Sequence, residues 1–149
     1  MSKLSSMCSS KEYVRVFVSV AQGQAFVRGY LENFDAELEY VFSMPKLNNL
    51  QVVALRSPHG NISAVITDSL DGFPDYLERT KILYWTEDMD EALAEAEKAG
   101  MTLLQPKTPV PIGFQGRFET PGDYVIELAE ASEEGNQYFN PDAKALGFV

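Results

Sequence analysis

The sequence has few of the residues on which many active sites depend. Among its 149 residues there is one cysteine, Cys8, and one histidine, His59. A single cysteine excludes an internal disulfide, and a single histidine excludes metal sites and catalytic schemes that need two. The sequence also lacks a glycine-rich phosphate loop and a nucleophile elbow. We therefore do not expect nucleophilic hydrolysis by the usual sets of residues.

Basic residues are also scarce. The chain has 12 Lys and Arg against 22 Asp and Glu, which gives a formal net charge of −10. This charge disfavours both a nucleic acid and an anionic membrane surface as a partner. No segment approaches the ~18 consecutive apolar residues of a membrane span, and the opening residues lack the apolar core of a secretion signal. The sequence therefore predicts a cytoplasmic protein with no nucleic-acid or membrane partner.

What the sequence does contain is an internal repeat. Alternating apolar residues from Tyr13 predict a strand. A stripe of apolar residues at spacings of three and four then predicts a helix that ends near Phe34. Three β-rich segments follow, around 37–44, 49–57 and 61–69. The pattern then starts again, with a strand at 81–86, a helix at 87–100 that Gly100 ends, and three strand candidates around 101–106, 114–120 and 123–130. The order βαβββ therefore occurs twice.

The repeat divides the chain into five parts. Residues 1–12 are predicted to be a mobile arm, 13–68 the first module, 69–79 a connector with one helical turn around Tyr76, and 80–130 the second module. The tail, 131–149, is either disordered or a clasp, since it carries aromatic and aliphatic residues that it could bury. The modules together predict one α+β domain at 13–130.

Two tandem βαβββ units resemble the vicinal oxygen chelate superfamily, which includes glyoxalase I, bleomycin resistance proteins and extradiol dioxygenases. The resemblance is carried by the segments 19–34, 57–63, 85–100, 103–108 and 116–130. It implies that each module curls its four strands into a half-barrel and that the paired half-barrels enclose a cleft. It also implies a homodimer.

In that superfamily the metal ligands come from the first and last strands of each module. The resemblance places these four positions at Arg15, Val65, Lys81 and Glu127, of which only Glu127 could bind a metal ion. Cationic side chains at two of the positions would repel a divalent cation, and His59 lies in a turn where it cannot replace them. We therefore expect a glyoxalase-like protein that uses no metal and no other cofactor.

Strand alternation gives the side chains that we expect to line the cleft. They are Arg15, Phe17 and Ser19 on the first strand, Lys81, Leu83 and Trp85 on the fifth, and Val125 and Glu127 on the last. We expect either Lys81 or Arg15 to pair with Glu127, which leaves one cation to hold a small anionic group. The rings of Phe17 and Trp85 would face the planar or apolar part of the ligand. Arg117 could point into the same cleft, but the short turn after its strand leaves the register of the strand open, and we expect this arginine to be exposed.

Three functions are compatible with these residues. The first is the binding of a small molecule without a metal, as in bleomycin resistance proteins, although the cations in the cleft favour an anion over the cationic ligands typical of that group. The second is a glyoxalase-like lyase or isomerase acting on a small carbonyl compound, with Glu127 as the base and Lys81 as the stabiliser of an enolate-like intermediate. The third is a structural role, with the cleft empty or filled by the tail or a partner.

Overall fold

A computed structural model describes residues 3–149. The helices are α1 (Lys3–Met7), α2 (Val20–Asn33), α3 (Tyr76–Arg79) and α4 (Met89–Lys98). The strands are β1 (Tyr13–Val18), β2 (Glu37–Met44), β3 (Leu50–Arg56), β4 (Asn61–Ile66), β5 (Thr80–Trp85), β6 (Thr102–Val110), β7 (Gly113–Thr120) and β8 (Tyr124–Ala131). This order contains the predicted βαβββ unit twice. None of the helices within 3–149 is long and apolar enough to cross a membrane.

All eight strands form one curled sheet, in the order β2-β3-β4-β1-β5-β8-β7-β6. In each module the first strand pairs in parallel with the last strand, β1 with β4 and β5 with β8. The modules join where β1 and β5 run antiparallel, with Tyr13 opposite Leu83. The predicted α+β fold, with half-barrels around a cleft, is confirmed.

Helices α2 and α4 cover the convex face of the sheet, one for each module. The buried stripe of α4 consists of Met89, Ala92, Leu93 and Ala96, as its spacing predicts. The helix ends before Gly100, which has a φ of 90° that other residues adopt with strain. Because both helices occupy the convex face, the concave face is left to form the cleft.

The two ends of the chain pack against the modules. Residues 1–2 of the predicted mobile arm lie outside the described residues, and within the rest of the arm α1 forms beside α4, with Leu4 and Met7 packed on the α4 cluster. The tail packs as a clasp: Phe139 bridges to Tyr40 on β2, and Phe148 is fully buried in the cluster under α2. The tail therefore ties the end of the second module to the first module.

Candidate functional site

The concave face of the sheet encloses a cleft of about 580 Å³, part of which is open to solvent. The cavity within the cleft measures about 50 Å³, which limits the ligand to a small molecule. Most of its walls are apolar, with Phe42, Val52, Val65 and Leu83 among them. Phe17 lies at the mouth, where its side chain is partly exposed.

Three charged side chains line this cleft, Arg15, Arg117 and Glu127. Oε1 of Glu127 accepts hydrogen bonds from Nη2 of Arg15 at 2.8 Å and from Nη2 of Arg117 at 2.7 Å. The side chains of all three are at most 6 % exposed. Two guanidinium groups therefore share one carboxylate, and the lining carries a net charge of +1.

Burial and neighbouring charges act in opposite directions on Glu127. Burial alone would raise the pKa of its carboxyl group, but the guanidinium groups of Arg117 and Arg15 lower the pKa further than burial raises it. The pKa of Arg117 is lowered by burial, an effect that Glu127 partly offsets. Glu127 is therefore ionised at neutral pH and is a weak base.

Arg117 owes its position to the β7–β8 hairpin, and the prediction that it would be exposed is wrong. The hairpin closes at Thr120 opposite Tyr124, and counting outward along it puts Arg117 directly opposite Glu127 on the same face. Arg117 is only 2 % exposed. Its Nε donates to Oγ1 of Thr80 at 2.9 Å and its Nη1 to Oε1 of Gln105 at 2.6 Å.

The predicted position of Lys81 in the cleft is also wrong, because Lys81 is exposed on the outside of β5. Thr80 and Ile82 pair with the successive residues Val125 and Ile126, so Lys81 is the extra residue of a β-bulge. The bulge reverses the alternation at this point, and Thr80 takes the inward position. Arg117 occupies the place beside Glu127 that the sequence suggested for Lys81.

The other predicted residues fall into two groups. Arg15, Phe17, Leu83 and Glu127 line the cleft, and the ion pair between Arg15 and Glu127 is the one that the sequence offered as an alternative to Lys81. Ligand binding by these residues stays a prediction.

The second group, Ser19, Trp85 and Val125, lies outside the cleft lining. Ser19 precedes α2, where its hydroxyl contacts Gln22. Trp85 packs between Tyr40 and Phe139, so the tail covers its indole ring. Val125 is fully buried opposite Thr80.

Sequence reasoning missed the residues that hold Arg117 in place, which are Tyr76, Thr80, Gln105 and Gln115. The ring of Tyr76 lies 5.2 Å below the guanidinium group, and Oε1 of Gln115 accepts a bond of 3.2 Å. The signal that could have found Arg117 was the hairpin register. The contact of Tyr76 joins segments far apart in the chain and leaves no signal in the sequence. Gln105 is the cross-strand partner of Arg117 in the β6–β7 hairpin, where register shifts on both sides of Gln105 hide the pairing from the sequence.

The donor set of this site does not fit the divalent cation that the fold family implies. The four corresponding positions are Arg15, Val65, Lys81 and Glu127, and the one carboxylate among them already accepts bonds from two guanidinium groups. Guanidinium groups have no lone pair to offer a metal and would repel it. Within residues 3–149 no three or more His, Cys, Asp or Glu side chains converge as metal ligands, and His59 is exposed in the turn between β3 and β4.

The chain has the fold of the vicinal oxygen chelate superfamily, whose members include methylmalonyl-CoA epimerase and 4-hydroxymandelate synthase. The epimerase from Mycobacterium tuberculosis is similar with a TM-score of 0.60 and 15% identity, over 88% of this chain and 97% of the epimerase. A hypothetical protein from Bacillus halodurans is similar with a TM-score of 0.61 and 14% identity, over 84% of this chain and 97% of that protein.

A mutant of 4-hydroxymandelate synthase from Streptomyces coelicolor is similar with a TM-score of 0.57 and 20% identity. The match covers 84% of this chain and 39% of the synthase. No family model and no curated protein match the sequence. At these identities the likeness concerns the fold, and any function has to be argued from the cleft itself.

Proposed function

We propose that this protein binds a small organic anion in the cleft, without a metal ion. The observation that carries the proposal is the buried cluster of Arg15, Arg117 and Glu127, in which two cations share one carboxylate. A buried charge without a counter-ion is costly. An anionic ligand would supply that counter-ion, since it brings the charge of the cleft to zero.

The rest of the cleft supports a ligand with an apolar body. The aromatic and aliphatic walls offer contact area but few polar partners. Binding pockets of this kind orient a ligand through a small number of polar groups and stabilise it through apolar burial. The cluster would fix the anionic end, and Phe17 and Phe42 would contact the body.

The same geometry weakens the two competing functions that involve a ligand. A general base works best when its pKa is near the working pH, and the pKa of Glu127 is lowered by two guanidinium groups. Lys81, the proposed stabiliser of an enolate-like intermediate, is exposed on the outside of β5. A flat cationic ligand of the bleomycin type would meet a lining of net charge +1.

The test is a thermal-shift screen of the metal-free protein with small anionic, neutral and cationic compounds. We expect anionic compounds to raise Tm, and we expect the variant Arg15→Met to lose this response because its lining has no net charge. The matched control is Lys81→Met, which removes an exposed cation from the neighbouring strand and should keep the response.

Two results would contradict the proposal. One is a set of compounds that still raise the Tm of Arg15→Met but no longer raise the Tm of Lys81→Met. The other is a stoichiometric transition metal in the purified protein whose removal abolishes ligand binding. A screen in which no compound depends on Arg15 would favour a structural role for the cluster.

The resemblance led us to expect a homodimer, and the lack of an apolar membrane span or secretion signal in the sequence led us to expect a cytoplasmic protein; we propose both. Sedimentation equilibrium tests the first, with a single species of 16.6 kDa as the contrary result. Cell fractionation tests the second.

A further inference from the structure

Tyr40, on β2, brings a polar group to the apolar part of the cleft. Its ring packs against Phe42, at a centroid distance of 5.9 Å, and against Trp85, at 5.8 Å, and the residue is only 2 % exposed. Tyr40 is nevertheless one of the residues that line the cavity. A buried tyrosine hydroxyl usually has a hydrogen-bond partner, but that of Tyr40 has none among residues 3–149.

The hydroxyl of Tyr40 differs from other buried polar atoms that lack a hydrogen-bond partner in the described part of the chain. Nε of Arg15 and Oγ of Ser63 are such atoms, and both are sealed from any atom of the size of water. The hydroxyl of Tyr40 is not sealed in this way, and the cavity is the open space beside it. A ligand in the cavity can therefore reach this hydroxyl.

The charges around Tyr40 determine which ligand group suits the hydroxyl. Burial raises the pKa of Tyr40, and the carboxylates of Glu127 and Glu39 raise it further, while the opposite effect of Arg15 is smaller. The hydroxyl therefore stays protonated at neutral pH and can donate a hydrogen bond. The same two carboxylates would repel an anionic group at this position, whereas an uncharged oxygen atom can accept the hydrogen bond without this repulsion.

We propose that the hydroxyl of Tyr40 binds an uncharged oxygen atom of the ligand, which is then a small organic anion with a hydroxyl or carbonyl group on its body. This inference rests on the proposed function and adds a second polar group to its ligand. The cluster of Arg15, Arg117 and Glu127 holds the anionic end. The wall beside Tyr40 is apolar, with Phe42 as its neighbour, so Tyr40 supplies the partner that the uncharged oxygen needs in the cavity.

The experiment compares four acids by isothermal titration calorimetry on the metal-free protein: butanoate and its 2-hydroxy, 3-hydroxy and 4-hydroxy derivatives. The derivatives have the same charge as butanoate and place one hydroxyl at three distances from the carboxylate. One derivative should bind roughly tenfold more tightly than butanoate, or about 1.4 kcal/mol, because it forms one more hydrogen bond. Without a partner in the cavity, the added hydroxyl would weaken binding, because it loses its hydrogen bonds to water.

Tyr40→Phe separates the role of the hydroxyl from that of the ring. The variant keeps the ring contacts with Phe42 and Trp85 and removes only the oxygen, so it should fold. The affinity for the preferred hydroxy acid should fall about tenfold, while the affinity for butanoate changes little. A purely structural role of Tyr40 would change both affinities equally. Tyr124→Phe, at a tyrosine of β8 that is 42 % exposed, is the matched control and should leave all four affinities unchanged.

The outcomes distinguish this inference from the function on which it rests. If butanoate binds and Arg15→Met abolishes this binding, but no hydroxy acid is preferred, the assignment of Tyr40 is wrong and the proposed function stands. A preference that persists in Tyr40→Phe also overturns the assignment. If none of the four acids binds, this inference is wrong, and the thermal-shift screen decides on the proposed function. If neither these acids nor any compound in that screen depends on Arg15, both are wrong.

Discussion

Replacing Glu127 with Gln tests whether the cluster of Arg15, Arg117 and Glu127 excludes water and whether Glu127 is ionised, as the geometry indicates. Glutamine has nearly the shape of glutamate, so the variant leaves no cavity but removes the negative charge. Arg15 and Arg117 then remain in the cleft with a net charge of +2. Removing one partner of a buried ion pair costs about 3–5 kcal/mol. Because two guanidinium groups lose the same partner, we expect a loss of about 4–5 kcal/mol in the free energy of unfolding.

Urea unfolding is the suitable assay, because guanidinium chloride would screen the charges under study. For a domain of this length 1 kcal/mol corresponds to about 2–4 °C, so Tm should fall by about 8–20 °C. The control is Glu37→Gln, at an exposed carboxylate, which should change the free energy of unfolding by less than about 0.5 kcal/mol. A value for Glu127→Gln within about 1 kcal/mol of the parent would refute the reasoning, since it would mean that water screens the cluster.

The pH dependence of stability gives an independent check on Glu127. Its pKa is lower in the folded protein than the usual value of 4.5. Its contribution to stability is therefore complete above pH 4.5 and is lost as the pH falls from there through the lowered pKa. Glu127→Gln should lack this part of the acid limb. Equal slopes of stability against pH below 4.5 in the two proteins would contradict the assigned charge state.

Three further predictions concern the tail, the glycines and the charge of the whole chain. Phe148→Ala should cost about 3–5 kcal/mol in urea unfolding, because this fully buried ring fixes the clasp; a loss below about 1 kcal/mol would mean that the tail is loosely held. Gly135→Ala should lower Tm, because the added Cβ would lie 1.9 Å from the carbonyl oxygen of Ile112. Gly29→Ala should raise Tm, because Gly29 lies on α2 with open space around it. A higher Tm for Gly135→Ala than for Gly29→Ala would contradict this packing. In stopped-flow measurements, the association rate of an anionic ligand should rise with salt, because the net charge of −10 repels anions until salt screens it; a rate that falls with salt would contradict this.

The charged cluster differs from its sequence-based description at two positions, Lys81 and Arg117, and each has a local cause. Alternation correctly oriented Arg15, Phe17 and Glu127, because β1 and β8 are regular where these residues lie. It also oriented Leu83, which follows the irregular part of β5. It failed at Lys81, where a single extra residue reverses the faces of β5. A one-residue change in register exchanges inward and outward side chains. A bulge that the sequence does not mark therefore places the ammonium group of Lys81 outside the cleft instead of inside it.

The sequence by itself determined the duplicated βαβββ order and the buried stripes of the helices. These are properties of neighbouring residues, set by periodicity and by side-chain chemistry. Only the tertiary structure decided that Arg117, rather than Lys81, joins Arg15 at Glu127, and that the tail closes over Trp85. Those outcomes depend on strand register and on contacts between segments far apart in the chain, where a shift of one residue reverses the result.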